Sequence, residues 1–298
     1  MPTTNSFTAE TDGPIRFQIG ITHGTVKVTS NSAVTRATVS VRTEDNNGEA
    51  AEAVTAASAI QANRTLQVTV PATENATTSA VYFGGGNTVV NSVIHGTVDT
   101  VNGATFVQRD SGNVHIAGSV RDMHIGRSRT GKRTIVADGQ VLVGHGPSGG
   151  RSGHIQVDVQ LPPGSEIAFT SDGGAHLELD GNYRRVEATT VNGDVEGRDS
   201  DIGTATIRTT SGDVTLDRLR QGGLLKSVNG DLKIREYAGA TLTISTVNGD
   251  IKVTAADRTT PGDVTLKTVN GDITTKRVRG NPYLRLSVGT VHGDINHR

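Results

Sequence analysis

Apolar and polar residues alternate along most of this chain, in short runs that are separated by polar turns. In the run from Leu242 to Val253, Leu242, Ile244 and Thr246 alternate with polar residues, and Ile251 and Val253 alternate again after an Asn-Gly-Asp turn. Period two is the pattern of a β-strand with one buried face. Asn and Gly tolerate the backbone conformations of tight turns, and the Asp that follows can accept hydrogen bonds from nearby N–H groups. The pattern therefore predicts pairs of short strands joined at Asn-Gly-Asp.

The Asn-Gly-Asp turn and its close variants recur at a nearly constant interval in the C-terminal half. The glycines of successive turns are separated by 20, 20, 19, 18, 19, 22 and 22 residues. Such a period indicates a repeat protein, in which each unit is too small to bury its own apolar face and stacking buries it instead. These glycines are Gly153, Gly173, Gly193, Gly212, Gly230, Gly249, Gly271 and Gly293.

Two folds can be built from such repeats. An antiparallel meander would use each Asn-Gly as a hairpin loop. A β-solenoid would stack each corner on the next one, with strands about 4.8 Å apart. Because nearly the same corner recurs once per period, as stacking of like on like requires, we favour the solenoid. The predicted fold is all-β: a single-stranded, β-helix-like solenoid of ~20-residue coils, with a small N-terminal β segment and one capping helix.

Three segments are predicted along the chain. Residues 1–75 form an N-terminal β segment, in which an Ala-rich stretch near residues 49–60 is a helix that covers the first edge of the stack. Residues 76–151 are a glycine-rich β insertion. Residues 152–298 are the regular solenoid repeats.

Composition and charge narrow the possible functions. Hydrophobic residues make up 34% of the chain and aromatic residues 3%, which predicts a thin core of small and branched side chains. The net charge of −1 favours neither nucleic acid nor an anionic membrane as a partner. Cys is absent, which excludes disulfides and thiolate metal sites. No signal-peptide pattern and no membrane-spanning apolar window is present, so we expect a cytoplasmic protein.

The order of these features is similar to that of a known family. A strand-rich opening with an Ala-rich helix is followed by Ile-x-Val-x-Val-x-Leu-Pro-x-Gly-Ser over residues 155–165, and then by repeated Asn-Gly-Asp or Ser-Gly-Asp strands. This order resembles the bacterial "putative adhesin" family of β-strand-repeat proteins, a domain of unknown function, over residues 1–71 and 152–298. The resemblance implies a β-solenoid-like fold and supplies no catalytic residues.

The run from Asn91 to Val114 departs from that family pattern. It is similar to the short amyloid-signalling motifs of filamentous bacteria, which carry Val-x-Gly and Val-Gln steps. Such a segment has high β propensity, low charge and no Pro, so it could pair with copies of itself in a cross-β stack. It could also form further coils, and this is the interpretation that we favour.

The aspartates of the turns are the candidate functional groups. If the coils stack, six aspartates form a row of like charges about 4.8 Å apart, which is unfavourable unless they are solvated, hydrogen-bonded to the turn or bridged by cations. Calcium would fit chemically, but the Gly-Gly-x-Gly-x-Asp phrase of calcium-binding β-rolls is absent. Two carboxylates could cleave a glycosidic bond, although nothing distinguishes one pair from its neighbours. We therefore expect aspartates that cap the turns, with no metal, cofactor or catalytic role. The predicted turn ladder consists of Asn192, Gly193, Asp194, Gly212, Asp213, Asn229, Gly230, Asp231, Asn248, Gly249, Asp250, Asn270, Gly271, Asp272, Gly293 and Asp294.

Histidines and basic residues give no stronger candidate. None of the nine histidines has the spacing of a zinc site, and some occupy the Asn position of the turn, such as His95 and His292. The basic cluster at residues 121–133 lacks the interleaved aromatics of a nucleic-acid groove. We interpret both groups as turn and loop residues.

These features favour a non-enzymatic structural or protein-interaction scaffold. An uncapped final coil would expose unpaired N–H and C=O groups that can template another copy. We therefore expect a homo-oligomer or filament joined partly through Val291 and Ile295, with residues 89–118 as the alternative contact, and no other partner can be named. The alternative function is a carbohydrate-binding or carbohydrate-active β-helix with a carboxylate-lined face. Sugar platforms usually need exposed Trp or Tyr, and this chain has no Trp and four Tyr, which disfavours the alternative.

Overall fold

The computed structural model describes residues 2–71, 153–257, 260–279 and 281–297, together with the backbone of six short strands between residues 100 and 143. The chain divides into two compact units. The first comprises Met1–Pro71 and Gly153–Arg298, and the second comprises Ala72–Ser152. The segment similar to amyloid-signalling motifs and the basic cluster belong to the second unit, and their side chains lie outside the described residues.

The elements are numbered in chain order. The N-terminal part of the first unit contains β1 (Thr3–Asp12), β2 (Arg16–Gly20), β3 (Gly24–Ser30), β4 (Arg36–Thr43), α1 (Glu49–Ala56), β5 (Ser58–Ala62) and β6 (Thr65–Thr69). The second unit contains β7 (Thr100–Val101), β8 (Ala104–Gln108), β9 (Val114–Ala117), β10 (Met123–Arg127), β11 (Arg133–Ala137) and β12 (Gln140–Val143). The repeats contain β13 (Ile155–Leu161), β14 (Ser165–Ser171), β15 (Ala175–Asn192), β16 (Val195–Ser211), β17 (Val214–Lys226), β18 (Leu232–Tyr237), β19 (Thr241–Ser245), β20 (Ile251–Ala255), β21 (Gly262–Lys267), β22 (Ile273–Lys276), β23 (Leu284–Gly289) and β24 (Ile295–His297).

Parallel strands of the first unit form two stacks, as a β-solenoid requires. The first stack holds the strands that precede each corner, in the order β6, β2, β14, the second halves of β15, β16 and β17, then β19, β21 and β23. The second stack holds the strands that follow each corner, in the order β13, β3, the first parts of β15, β16 and β17, then β18, β20, β22 and β24. From β14 onward the chain makes about seven coils, so the predicted solenoid is confirmed.

The coil made by β2 and β3 lies inside the stack and not at its end. β2 is paired on one side with β6 and on the other with β14. β3 is paired with β13 and with the first part of β15. β3 is therefore held between two strands that follow the second unit, and β2 between one strand that precedes that unit and one that follows it. The N-terminal segment and the repeats share one continuous sheet.

Antiparallel strands and the helix cover the N-terminal end of this stack. β4 pairs antiparallel with both β1 and β13, and β5 pairs antiparallel with β6. Helix α1 buries Ala50, Ala53 and Val54 and packs on β1 and β4. It is shorter than the predicted stretch because Ser58–Ala62 pairs with β6 as a strand. These elements shield the core that the first coil would otherwise expose.

The core is a thin ladder of aliphatic side chains. Along β20, Ile251 and Val253 are buried while Lys252 is exposed, as the alternation predicted. In register, Val253 lies beside Ile234 of the preceding coil, so apolar residues stack on apolar residues. No helix among the described residues is long and apolar enough to cross a membrane.

Candidate functional site

The Asn-Gly-Asp turns lie in single file along one edge of the solenoid. Parallel bridges link Ser211 to Asn229, Asn229 to Asn248, Asn248 to Asn270, and Asn270 to His292. Asn192 lies beside Ser211 at the start of this row. We call the turns at residues 192–194, 211–213, 229–231, 248–250, 270–272 and 292–294 the corner ladder. The structure brings every residue of the predicted turn ladder to this edge.

Backbone hydrogen bonds join successive corners. The N–H of Gly230 donates to the carbonyl oxygen of Asn248, and the N–H of Gly249 donates to that of Asn270, each at 2.9 Å. The equivalent bond from Gly271 reaches His292, also at 2.9 Å. Because each turn glycine donates forward to the next coil, the corners continue the parallel ladder of the strands.

The turn glycines are required by the close approach of successive coils. A Cβ added to Gly249 would lie 2.2 Å from the carbonyl oxygen of Gly230. Gly230 and Gly249 also have φ values of +156° and +154°, which few other residues adopt. Gly193 and Gly212 do not have positive φ, but a Cβ there would still lie 2.0 Å from the carbonyl oxygen of Ala175 and 2.3 Å from that of Gly193, each in the preceding coil. Close contact, more than unusual φ, therefore explains why glycine recurs.

The aspartates form a row in which each carboxylate from Asp194 to Asp272 accepts a hydrogen bond from the next coil. Oδ1 of Asp213 accepts from the N–H of Asp231 at 2.8 Å, and Oδ1 of Asp231 accepts from the N–H of Asp250 at 2.8 Å. The same bond links Asp194 to Asp213, Asp250 to Asp272 and Asp272 to Asp294. Carboxylates are strong acceptors for backbone N–H groups, so the row of like charges is also a row of bonds between coils.

A shorter row of asparagine side chains runs beside the aspartates. Nδ2 of Asn248 donates to Oδ1 of Asn229 at 2.7 Å, and Nδ2 of Asn270 donates to Oδ1 of Asn248 at 2.7 Å. We call these three residues the asparagine ladder. Asn192 is outside it, because its neighbour in the stack is Ser211.

Two histidines take the acceptor role at the first corners. Nδ1 of His23 accepts from the N–H of Gly174, and Nδ1 of His176 accepts from the N–H of Asp194, both at 3.2 Å. The ring of His297, in the last strand, lies 2.7 Å from the hydroxyl of Thr275. The side chains of His95, His115, His124 and His145 lie outside the described residues.

Hydroxyl groups line the inner side of the corners. Thr246, Thr268 and Thr290 donate to the carbonyl oxygens of the turn glycines one coil earlier, at 3.1–3.2 Å. This row was not predicted from the sequence, although each donor is a Thr two residues before the Asn position. Thr190, Thr209 and Ser227 hold the same position, and their hydroxyls have no partner among the described residues. In the described part of the chain, no three metal-binding side chains come together. The corner ladder therefore offers a uniform, acidic and amide-rich edge.

Two tyrosines are buried in the interior rather than displayed at a surface. Tyr183 donates to the carbonyl oxygen of Val28 or that of Asp180, at 2.8 and 2.7 Å. Tyr237 is buried without a hydrogen-bond partner for its hydroxyl in the described part of the chain. Burial raises the pKa of both phenols well above the ordinary value of 10.0.

The last coil differs from the coils inside the stack. Among the described residues, β23 and β24 each have a parallel neighbour on one side alone, β21 and β22 respectively. Val291 is 68% exposed. The valines at the same position in earlier corners are 38–42% exposed; these are Val228, Val247 and Val269. Ile295 is 42% exposed, whereas its stacking neighbour Ile273 is buried.

A solved structure with a TM-score of 0.50 shares this fold. A putative adhesin from Bacteroides fragilis superposes with a TM-score of 0.50 at 14% sequence identity, covering 99% of this chain and 97% of that chain. A putative cell adhesion protein from Clostridium sporogenes has a TM-score of 0.36 at 10% identity, covering 100% and 99%. A putative lipid binding protein from Parabacteroides distasonis has a TM-score of 0.37 at 11% identity, covering 99% and 97%. At 14% identity the likeness to the Bacteroides fragilis protein shows the fold alone.

The sequence itself gives the closer assignment. No curated protein sequence matches the chain significantly. The model of one family, Toastrack DUF4097, matches residues 16–297. This range takes in β2–β6 and the whole solenoid, and so confirms the resemblance to a β-strand-repeat domain of unknown function. The chain belongs to the Toastrack DUF4097 family.

Proposed function

We propose that this protein is a non-enzymatic scaffold for protein interaction, and that it associates with copies of itself through its last coil. The observation that carries this proposal is the open edge of β23 and β24, where Val291 and Ile295 are exposed. The relative from Bacteroides fragilis, a putative adhesin, is consistent with an interaction role. A cytoplasmic location stays a prediction.

The two ends of the stack support this direction of assembly. At the N-terminal end, β4 and β5 run antiparallel to the solenoid strands and α1 covers the core. At the other end, the outer N–H and C=O groups of β23 and β24 face no strand among the described residues. An edge of this kind is a template for pairing with another chain. Two such edges related by a twofold axis would pair antiparallel and close a dimer.

The uniformity of the corner ladder supports a role other than catalysis. Each aspartate from Asp194 to Asp272 is used as an acceptor for the next coil, and this environment repeats from Asp213 to Asp272. Asp194 differs, because Nδ1 of His176 lies 3.4 Å from its carboxylate. An active site instead needs groups whose environments set them apart, such as two carboxylates with different roles.

Carbohydrate binding, the alternative function, has less support. Stacking of sugar rings uses exposed aromatic faces. Among the described residues, Tyr283 is exposed, whereas Tyr183 and Tyr237 are buried. One exposed ring does not form a platform along the solenoid, so the scaffold is the proposal that the described surface favours.

Light scattering after size-exclusion chromatography tests the proposal. We expect the 298-residue chain to form an oligomer at tens of micromolar, and the double variant Val291→Lys, Ile295→Lys to be a monomer. The matched control is Val228→Lys, Val247→Lys, which places the same charges at corner valines inside the stack and should leave the oligomer intact.

Three results would contradict this proposal. A wild-type chain that is monomeric at tens of micromolar excludes self-association. An oligomer that survives the double variant moves the contact elsewhere, with residues 89–118 as the next segment to test. An oligomer that both double variants dissolve would place the contact along the corner ladder and not at the last coil.

A further inference from the structure

Four corners share the tetrapeptide Val-Asn-Gly-Asp, beginning at Val191, Val228, Val247 and Val269. Asn-Gly is chemically reactive because glycine has no Cβ to hinder its backbone nitrogen. That nitrogen can attack Cγ of the asparagine, so that the N–Cγ bond forms, the Cγ–Nδ2 bond breaks and ammonia leaves. Water then opens the cyclic imide to aspartate or isoaspartate. Since the four tetrapeptides are identical, any difference in their rates must come from the folded structure.

The hydrogen bond of the attacking nitrogen does not distinguish the four sites, although φ does, since Gly230, Gly249 and Gly271 have φ values of +148° to +156° and Gly193 does not. The glycine nitrogen that would attack donates a hydrogen bond to the next coil in every case. The bond from Gly193 measures 3.0 Å, and those from Gly230, Gly249 and Gly271 measure 2.9 Å. This bond occupies the N–H of the attacking nitrogen, and it does so at a similar length at all four sites.

The hydrogen bonds of the asparagine side chains do distinguish them. Asn248 is held on both sides, since its Nδ2 donates to Asn229 and its Oδ1 accepts from Asn270. Asn229 and Asn270 are each held by one of these bonds. Asn192 is exposed, and its side chain makes no hydrogen bond to any described residue. Its Cγ is therefore free to turn towards the nitrogen of Gly193.

We propose that Asn192 is a site of spontaneous deamidation, and that the asparagine ladder protects Asn229, Asn248 and Asn270 from the same reaction. Deamidation adds a carboxylate two residues from Asp194, at the start of the aspartate row. The isoaspartate product also adds a methylene group to the backbone, directly before the turn that joins β15 to β16. The bond from the N–H of Asp213 to Asp194 lies at this turn, so the reaction loosens one defined joint of the solenoid.

The order of the rates follows from the number of side-chain bonds. Breaking one such bond before attack slows the reaction about five-fold, which corresponds to about 1 kcal/mol. We expect Asn192 to react fastest, Asn229 and Asn270 about five-fold more slowly, and Asn248 most slowly of the four. Asn47 and Asn102 also precede glycine but have different flanking residues, so they are not part of this comparison.

Peptide mass spectrometry of the aged full-length chain measures these rates. The chain is incubated at neutral pH and 37 °C, digested under acidic conditions, and the fraction of each tetrapeptide that has gained about 1 Da is followed with time. A parallel incubation in concentrated urea provides the reference, in which the four sites should react at similar rates. Equal rates in the folded chain, or a rate at Asn192 that does not exceed the others, would overturn the proposal.

Two substitutions separate the side-chain effect from the backbone effect. Asn248→Ser removes both bonds of the asparagine ladder and should accelerate Asn229 and Asn270 about five-fold. Serine is tolerated at this position, because Ser211 occupies it in another corner. Ser211→Asn places a neighbouring amide beside Asn192 and should slow its reaction. If circular dichroism shows both variants folded and neither rate changes, the ladder gives no protection and the proposal is wrong.

Discussion

The backbone N–H of Asp250 donates a hydrogen bond to Oδ1 of Asp231, the aspartate one coil earlier, at 2.8 Å. The relationship repeats along the corner ladder from Asp194 to Asp294. It explains how aspartates about 4.8 Å apart are tolerated, because each carboxylate meets the positive end of an N–H dipole on the side that faces the next aspartate. The charged row therefore supplies hydrogen bonds that join successive coils.

The first prediction separates the acceptor role of an aspartate from its charge. Asp231→Ala removes the acceptor for Asp250 and should lower the free energy of unfolding by about 1 kcal/mol. Asp231→Asn keeps an oxygen acceptor and removes one like charge, so it should stay within about 0.5 kcal/mol of the wild type. Urea unfolding measures both. Equal losses in the two variants would show that the charge, and not the hydrogen bond, matters.

A second prediction concerns the close contact of corner glycines. Gly249→Val places a branched side chain against the carbonyl of Gly230 and should lower stability by about 1–3 kcal/mol. Gly20→Val is the matched control, since a Cβ at Gly20 meets nothing within 4 Å and φ is not positive there. Thermal melts compare the two variants. A similar loss in both would mean that any valine in a glycine position destabilises the solenoid, with no special role for the corner.

The third prediction is a loss of stability at alkaline pH that depends on Tyr237. Its pKa is raised by burial, so above the unfolded-state value of about 10 the folded chain holds a proton that the unfolded chain has released. Stability is therefore fully present below pH 10 and falls as the pH rises above it. Tyr237→Phe should leave stability unchanged or higher at pH 7, because the hydroxyl is unpaired, and its advantage should grow above pH 10.

Tyr183→Phe is the matched control for the unpaired hydroxyl at pH 7, whereas at alkaline pH it should behave like Tyr237→Phe, because burial raises the pKa of Tyr183 as well. The Tyr183 hydroxyl donates to a backbone carbonyl oxygen, so its removal should cost about 1 kcal/mol at pH 7. Urea unfolding compares the stability of each of the two variants with that of the wild type at pH 7 and at pH 10.5. A Tyr237→Phe variant that is as destabilised at pH 7 as Tyr183→Phe would contradict the unpaired hydroxyl.

The fourth prediction is that the first unit folds without the second. In register, Thr69 lies beside Gly20 and Gln156 lies beside Thr25. Gly20 and Thr25 are joined by a four-residue corner, so the ends of β6 and β13 can be joined equally closely. Replacing residues 71–153 with about six Gly and Ser residues should preserve the β-sheet circular dichroism and a cooperative melt. A chain that loses both would show that the solenoid needs the second unit.

The sequence predicted the features of this fold that repeat. Stacking of coils follows from the period of the turn glycines, and the buried residues of β20 follow from alternation. The position of β2 between β6 and β14 has no such signal, because parallel pairing between residues 16–20 and 166–170 leaves no local pattern. The close backbone contact that requires glycine at positions 193 and 212 could not be predicted either, since a contact with the preceding coil depends on tertiary structure.

The sequence identified the side chains of the corner ladder more readily than their hydrogen-bond partners. The aspartates were predicted to cap their own turns, whereas those from Asp194 to Asp272 accept from the turn of the next coil. The asparagine ladder could not be predicted, because the sequence does not determine the register between coils. A shift of one residue would separate the asparagine side chains. The unpaired hydroxyl of Tyr237 could not be predicted, since the sequence does not reveal which buried hydroxyl lacks a hydrogen-bond partner.

Amide hydrogen exchange at the corners tests the stacking of the corner ladder most directly. The amides of Asp213, Asp231, Asp250 and Asp272 lie in solvent-accessible turns, yet each donates to the carboxylate of the preceding coil. The corner ladder predicts that they exchange as slowly as the strand amides beside them. Isolated hairpin turns would leave these amides open to water. Exchange at the rate of an unstructured peptide at these four positions would contradict the stacked corners.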